Sequence, residues 1–306
     1  MSEPLAPFLE RVRRRVDEAL DRYLPSPPAC PEIVAAAMRY SVFAGGKRLR
    51  PVLALAAAEA IDRGAFDLAL PAACAIELIH TYSLIHDDLP AMDNDDLRRG
   101  RPTLHTVYGD GIAILAGDGL HAEAFTLLAR EPATDDPLVV ARKVDVVRVI
   151  GQAAGPMGMV GGQAVDLQAA GQVPGHAVSL DADGLRAMHA RKTGALIRAS
   201  AVSGAIMAGG GADVVRAVDA YASEIGLAFQ IVDDILDVEG DPASLGKTAG
   251  KDAAASKPTY PALFGLDRSR QLAEECVHRA HAALDAARLS GGHLGAIAEW
   301  VVSRKS

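Results

Sequence analysis

Apolar positions recur along this chain mostly at helical spacing. Leu5, Leu9, Val12, Val16 and Leu20 fall near one face of a predicted helix over Leu5–Tyr23. Prolines 25, 27, 28 and 31 end it. A second helix is predicted over Ile33–Phe43 and stops at Gly45-Gly46. A third carries Pro51 in its first turn, where proline is tolerated, and continues from Val52 to Ile61. Asp67–Asp88 is apolar all round and almost uncharged until its end, the pattern of a helix buried in the centre of a domain. Helices are also predicted over Ile112–Arg130, Pro137–Ile150, Asp183–Met207 and Ala212–Val238, with two more closing the chain. Between them lie a glycine-rich stretch at 151–168 and a loop at 171–175. Residues 240–257, polar and holding three lysines, read as a surface loop able to order over a ligand. No segment alternates cleanly at period two, and no linker separates folding units. The expectation is one all-α domain over residues 1–306, a helical bundle.

Composition narrows the function. Half of the 306 residues are hydrophobic and only 4% are aromatic, which favours helices over strands. A net charge of −8 argues against a general nucleic-acid binder, so no nucleic-acid partner is expected. Small anions stay open, because a bound cation can mediate. Cys30, Cys74 and Cys276 lie far apart with no CxxC, which fits a reducing cytoplasm better than a disulfide framework or zinc cluster. The N-terminus lacks the apolar run of a signal peptide. No stretch reads as the roughly 20 apolar residues of a transmembrane segment, so a soluble, cytoplasmic protein is expected.

The chemistry concentrates in two acidic clusters, each ending a long apolar helix. HDDLPAMDNDDLRRGRP, 86–102, packs in five aspartates and then three arginines. IVDDILD, 231–237, repeats the acids. Asp233 and Asp237 stand at i and i+4 on one helical face. In the first cluster, Pro90 should break the helix after Asp88 and bring Asp93 back near Asp87. Carboxylates without neighbouring His or Cys select hard ions, Mg²⁺ above all, which takes one or two carboxylates plus phosphate. Acids at helix ends are often only solvated surface. Two such clusters make a clamp for Mg²⁺-bridged diphosphate the stronger reading. Arg98 and Arg99 can grip the same phosphate in a bidentate fork. FAGGKRLRP, 43–51, offers Lys47, Arg48 and Arg50 just before a helix start, so a second anion held without metal is expected. His80, on the face of Asp87, either donates to that phosphate or is a satisfied core histidine. Lys192, Thr193 and Gln230 sit within apolar helices and need polar partners; the cleft can supply them. Gln163 and Asp166 are further candidates, or a structural hydrogen-bond pair.

GGKRLRP, ELIHTYSLIHDDLPAMDNDDLRRGRPTLH, GGQAVDL, KTG, FQIVDDILD, GDPASLGKTAGKD and KPTYP, in this order, closely resemble the trans-isoprenyl diphosphate synthases. The bacterial farnesyl diphosphate synthases are the most similar branch. The resemblance covers about residues 30–265. It implies the isoprenoid synthase fold, all-helical around a deep central cavity, and a homodimer. It implies isopentenyl diphosphate and an allylic diphosphate as substrates, with Mg²⁺, three ions per active site when substrate is bound. The ions would be held by Asp87 and Asp93 on one side and Asp233 on the other, with Asp88, Asp234 and Asp237 supporting. Arg98, Lys192, Lys247 and Lys257 match contacts to the allylic diphosphate, and Thr193 and Gln230 match groups facing the allylic cation. Lys47, Arg50, His80 and Arg99 match the isopentenyl diphosphate site.

Product length is read from the helix carrying Asp87. Five positions earlier lies about 7.5 Å deeper at the helical rise. Tyr82 stands there, with Ser83 beside it, and either floors a short pocket or only packs. In the resembling family a large side chain here accompanies the C15 product, farnesyl diphosphate, and smaller ones C20. The four-residue gap between Asp88 and Asp93 also resembles the short-chain bacterial group. Geranylgeranyl diphosphate synthase and a non-catalytic synthase subunit are the alternatives kept. A class I terpene cyclase fits less well, since DDILD lacks the usual Asn, Ser and Glu of its second motif. An HD-type phosphohydrolase would need further histidine ligands.

Overall fold

The long apolar stretch ahead of the first acid cluster becomes the central helix. The computed structural model describes residues 3–239 and 259–304. In chain order these form α1 (Leu5–Tyr23), α2 (Glu32–Val42), α3 (Leu49–Ile61) and α4 (Phe66–Asp87). A short hairpin of β1 (Leu97–Arg98) and β2 (Arg101–Pro102) precedes α5 (Leu104–Tyr108) and α6 (Asp110–Arg130). Then come α7 (Pro137–Ala154), α8 (Met159–Ala169) and α9 (Ala182–His189). One π turn (Ala190–Gly194) leads into α10 (Ala195–Met207) and α11 (Ala212–Glu239). The chain closes with α12 (Tyr260–Phe264), α13 (Leu266–Ala286) and α14 (His293–Ser303). The architecture is the all-α helical bundle expected from the sequence. The loop expected at 240–257 lies outside the described residues.

Three local differences from the sequence reading matter. The glycine-rich stretch at 151–168 is mostly helix, as the end of α7 and most of α8. The helix expected over Asp183–Met207 is interrupted by the π turn, which inserts an extra residue into the helical ladder. The small hairpin was invisible because two-residue strands are too short to show alternation.

α4 packs against α3, α6 and α10, and its side chains are buried nearly all round. That explains the absence of any polar face in its sequence. α3 and α10 approach so closely that a Cβ on Gly204 would lie 1.8 Å from the Ala54 carbonyl oxygen. Arg48, in the left-handed region at φ 52°, caps the start of α3 and is buried. Its guanidinium donates to Glu77 of α4 at 2.8 Å, to Asp17 of α1 and to the Val42 carbonyl at 2.7 Å. One buried cation therefore ties α1, α2 and α4 to the turn before α3. Removing either partner of such a pair leaves an uncompensated charge inside. Arg48 is thus structural, although the sequence grouped it with the ligand-facing Lys47 and Arg50.

The expectation that no stretch is long enough to span a membrane is corrected. α4 and α6 each reach that length and apolarity. Most of α4's apolar window is buried inside the bundle, whereas less than half of α6's is. α6 instead exposes Ile114 and Leu115, and α7 exposes Leu138 and Val144.

Gly204→Ala is expected to lower stability by about 1–3 kcal/mol, because α3 and α10 must part to admit one methyl group. Urea unfolding checks this, and an unchanged midpoint would show that the contact gives way without cost.

Candidate active site

At the end of α4 the chain folds back as Pro90 implied. The Asp93 N–H donates to the Asp87 carbonyl at 2.9 Å, and the Asp95 N–H to the Asp88 carbonyl at 3.1 Å. This return brings the Asp93 carboxylate into the field of Asp87. Burial, reinforced by Asp93, pushes the Asp87 carboxyl up to about 6, against the pull of Lys192.

The six aspartates do not share one task. Asp88 is buried and accepts a fork from Arg98, with Nε at 2.8 Å and Nη2 at 2.6 Å from Oδ1. Asp234 is buried and accepts from the Tyr260 N–H at 2.9 Å and from Gln230 Nε2 at 2.9 Å. Both carboxylates expected to support the ions are thus hydrogen-bonded within the protein. Asp88 positions the arginine arm, and Asp234 joins α11 to α12. Arg98, expected on a diphosphate, bonds Asp88 through Nε and Nη2. Asp87, Asp93, Asp233 and Asp237 keep half-buried carboxylates.

The π turn carries the lysine and threonine of the KTG motif. Lys192 Nζ bonds Asp166 Oδ2 at 2.5 Å. Burial alone would depress the ammonium's pKa, but Asp87, Asp166 and Asp93 together hold it raised. Lys192 thus joins the α8 acid to the first acid cluster. α8 comes this near because Gly162 has no side chain, and a Cβ there would meet the Lys192 backbone nitrogen at 2.2 Å. Thr193 Oγ1 donates to Gln230 Oε1 at 3.1 Å, and Gln230 sits one turn before Asp234. Both acidic motifs are in this way stitched to one π turn. Gln163, expected to pair with Asp166, leaves both amide atoms buried without a hydrogen-bond partner among the described residues. Asp166 takes Lys192 instead.

On the other flank Arg50, His80 and Arg99 share a positive field. Arg50 is buried, its Nε has no partner among the described residues, and burial brings its pKa down to about 10. Arg99 donates to the Gly45 carbonyl and is also lowered, by burial and by its cationic neighbours Arg48 and Arg98. His80 is held neutral, well below its ordinary value, by burial and by Arg50, Arg99 and Arg98. Cations gathered with an unmet donor are the electrostatic signature of an anion site. Lys47 is half-buried in the same turn, its carbonyl accepting from Arg13 Nε at 3.3 Å. Lys247 and Lys257 lie outside the described residues.

Tyr82 is buried, with its ring stacked on His121 of α6 at 4.7 Å between centroids and edge-on to His86 at 5.7 Å. It points between α4 and α6. Ser83 Oγ donates back to the His80 carbonyl at 2.9 Å.

The donor set fits Mg²⁺. Only carboxylate oxygens are offered, and among the described residues no three His, Cys, Asp or Glu side chains converge on one point. A hard ion held by one or two carboxylates and completed by phosphate oxygen and water needs no such cage. Three participants escaped the sequence reading. His121 and Arg304 are brought in by packing alone. His189, three residues before Lys192, had only its nearness to the KTG motif as a signal.

Residues 31–288 match the polyprenyl synthetase family. The chain is 50% identical over 266 residues to the heterodimeric geranylgeranyl pyrophosphate synthase large subunit 1 of Arabidopsis thaliana, covering 85% of this chain and 68% of that one. It is 42% identical over 297 residues to the farnesyl diphosphate synthase of Geobacillus stearothermophilus, covering 97% of each. The apo crystal structure of an FPP/GFPP synthase from Zymomonas mobilis superposes with a TM-score of 0.82 at 40% identity, over 97% of this chain and 98% of that one.

His189 is buried, its Nδ1 has no partner among the described residues, and burial brings its pKa from 6.5 down to about 4. The unfolded chain therefore takes up this proton first as pH falls. Stability from a neutral His189 is complete above pH 6.5 and is lost progressively toward pH 4. Between pH 7 and 5 the parent protein is expected to lose on the order of 1 kcal/mol more than His189→Gln. Urea unfolding at the two pH values checks it, and equal losses would overturn the assignment.

Proposed function

This chain belongs to the polyprenyl synthetase family of trans-prenyltransferases, and we propose that it is a short-chain member making farnesyl diphosphate. It would join isopentenyl diphosphate to dimethylallyl and then to geranyl diphosphate. The observation that carries this reading is the position of Lys192. Its ammonium lies in the field of Asp87 and Asp93, while the adjoining Thr193 bonds Gln230 beside the second acid motif.

In the proposed reaction the allylic carbon–oxygen bond breaks and its electron pair leaves with the diphosphate. Asp87, Asp93, Asp233 and Asp237 would hold Mg²⁺, three ions with substrate bound. Mg²⁺, when bound, supplies positive charge to the oxygens of the departing diphosphate. Lys192 adds a fixed ammonium to the same oxygens, and Asp166 keeps it in place. The Thr193 hydroxyl donates its hydrogen bond to Gln230 Oε1, so its oxygen lone pairs are left to face the allylic cation. Arg50, Arg99, His80 and Lys47 would hold isopentenyl diphosphate so that its double bond meets the cation. The departing diphosphate accepts the proton lost in the last step. The apolar wall of α4 keeps water from trapping the cation.

Tyr82 supports the C15 product, since its buried ring, braced by His121, stands on α4 five residues before Asp87. The C20 alternative draws on the geranylgeranyl synthase named among the relatives. A non-catalytic subunit is disfavoured because both acid motifs are whole. We further propose a homodimer that covers the exposed apolar side chains of α6 and α7. A cytoplasmic location accords with three buried, unpaired thiols.

Purified protein with Mg²⁺ and labelled isopentenyl diphosphate is expected to extend dimethylallyl and geranyl diphosphates to C15, and excess EDTA to stop it. Turnover of geranyl diphosphate alone would favour a cyclase instead. Tyr82→Ala is expected to lengthen the main product to C20 or beyond. Chromatography showing C15 unchanged in the variant would remove Tyr82 as the pocket floor.

A further inference from the structure

The last described residue of the chain, Arg304, reaches the second acid motif. It caps the end of α14, and its side chain is 3% exposed. Nη2 bonds Asp233 Oδ1 at 2.5 Å and the Phe229 carbonyl at 2.8 Å, while Nε bonds the Val301 carbonyl at 3.2 Å. The guanidinium also lies 4.0 Å over the Phe229 ring. Phe229 and Asp233 are i and i+4, so the arginine lies along one turn of α11. Every feature that buries this cation is specific, yet its carboxylate partner stays 42% exposed. One side of Asp233 therefore remains open to an incoming ion while the other is already neutralised.

We propose that Arg304 is a resident counter-ion of Asp233, which a divalent ion arriving with diphosphate displaces, so that metal binding loosens the last turn of α14. This rests on the reading of Asp233 as an ion-holding carboxylate. Without a cation, Asp233 would add uncompensated negative charge beside Asp237; Arg304 removes that repulsion. A doubly charged ion brought with diphosphate makes a stronger field at the same oxygens than one delocalised guanidinium. The two cations compete for one carboxylate, so each weakens the other's hold by the same factor. Displacing Arg304 from Asp233 also gives up its contact with the Phe229 ring, which loosens residues 302–304.

The test is Mn²⁺ binding by electron paramagnetic resonance, with inorganic pyrophosphate as the probe anion, on the full chain. Arg304→Met keeps the length and apolar contact with Phe229 but removes the charge. It is expected to bind Mn²⁺ about fivefold more tightly, the scale of one partly exposed ion pair. Arg304→Lys should stay within about twofold of the parent, since it restores the charge. Hydrogen exchange of the parent at residues 301–304 should quicken when Mn²⁺ and pyrophosphate are added together. Equal Mn²⁺ affinity in parent and Arg304→Met, or unchanged exchange at 301–304, would overturn the proposal and leave the acid walls standing. Failure of the parent to bind Mn²⁺ with pyrophosphate at all would overturn both. Circular dichroism of each variant secures that the helices are intact.

Discussion

The position of one ammonium organises this site. Lys192 stands between Asp166 on α8 and the paired carboxylates at the end of α4. A flexible four-carbon side chain would ordinarily wander in solvent. Here it is held because the π turn presents it inward and because Gly162 lets α8 close over the turn. The same turn hands Thr193 to Gln230 and so couples α11 to α4. Loosening that turn would separate the two acid motifs, each still intact in sequence.

Charge is sorted by partner rather than by type. Some acids are satisfied within the protein: Glu77 is paired with Arg48 and Asp88 with Arg98, and Asp234 accepts hydrogen bonds from an N–H group and an amide. Others, Asp87 foremost, are kept half-buried among like charges, which raises the cost of their ionisation. Opposite them Arg50 keeps an unmet donor among cations that repel one another. Both arrangements are unfavourable in isolation. A ligand bearing cations on one side and phosphate on the other relieves both, which is how binding energy can be directed to a metal–diphosphate complex. The buried pairs around them supply the rigidity that such strain requires.

The helices and their order were legible in the sequence because apolar spacing records which face each helix buries. α4, apolar all round, could only be central. The return of the chain after Pro90 was legible as well, since proline breaks a helix by covalent geometry. The π turn was not, because a single inserted residue leaves no mark on apolar periodicity. Nor was the helicity of 151–168, where glycine's poor propensity is outweighed by the close packing it permits.

Sequence alone singled out most of the candidate residues for the chemistry, because carboxylates, arginines and lysines are chemical facts independent of placement. Tertiary structure alone decided how they divide the work. Asp87 and Asp88 are adjacent and identical in type, yet helical geometry turns them to different faces, one toward Lys192 and the other into Arg98. Arg48 and Arg50 divide in the same way, one bonded in a buried clasp and the other left with an unmet Nε donor among the described residues. Arg304 meets Asp233 across 71 residues of chain, a distance no local pattern encodes, because only the packing of α14 on α11 brings them together.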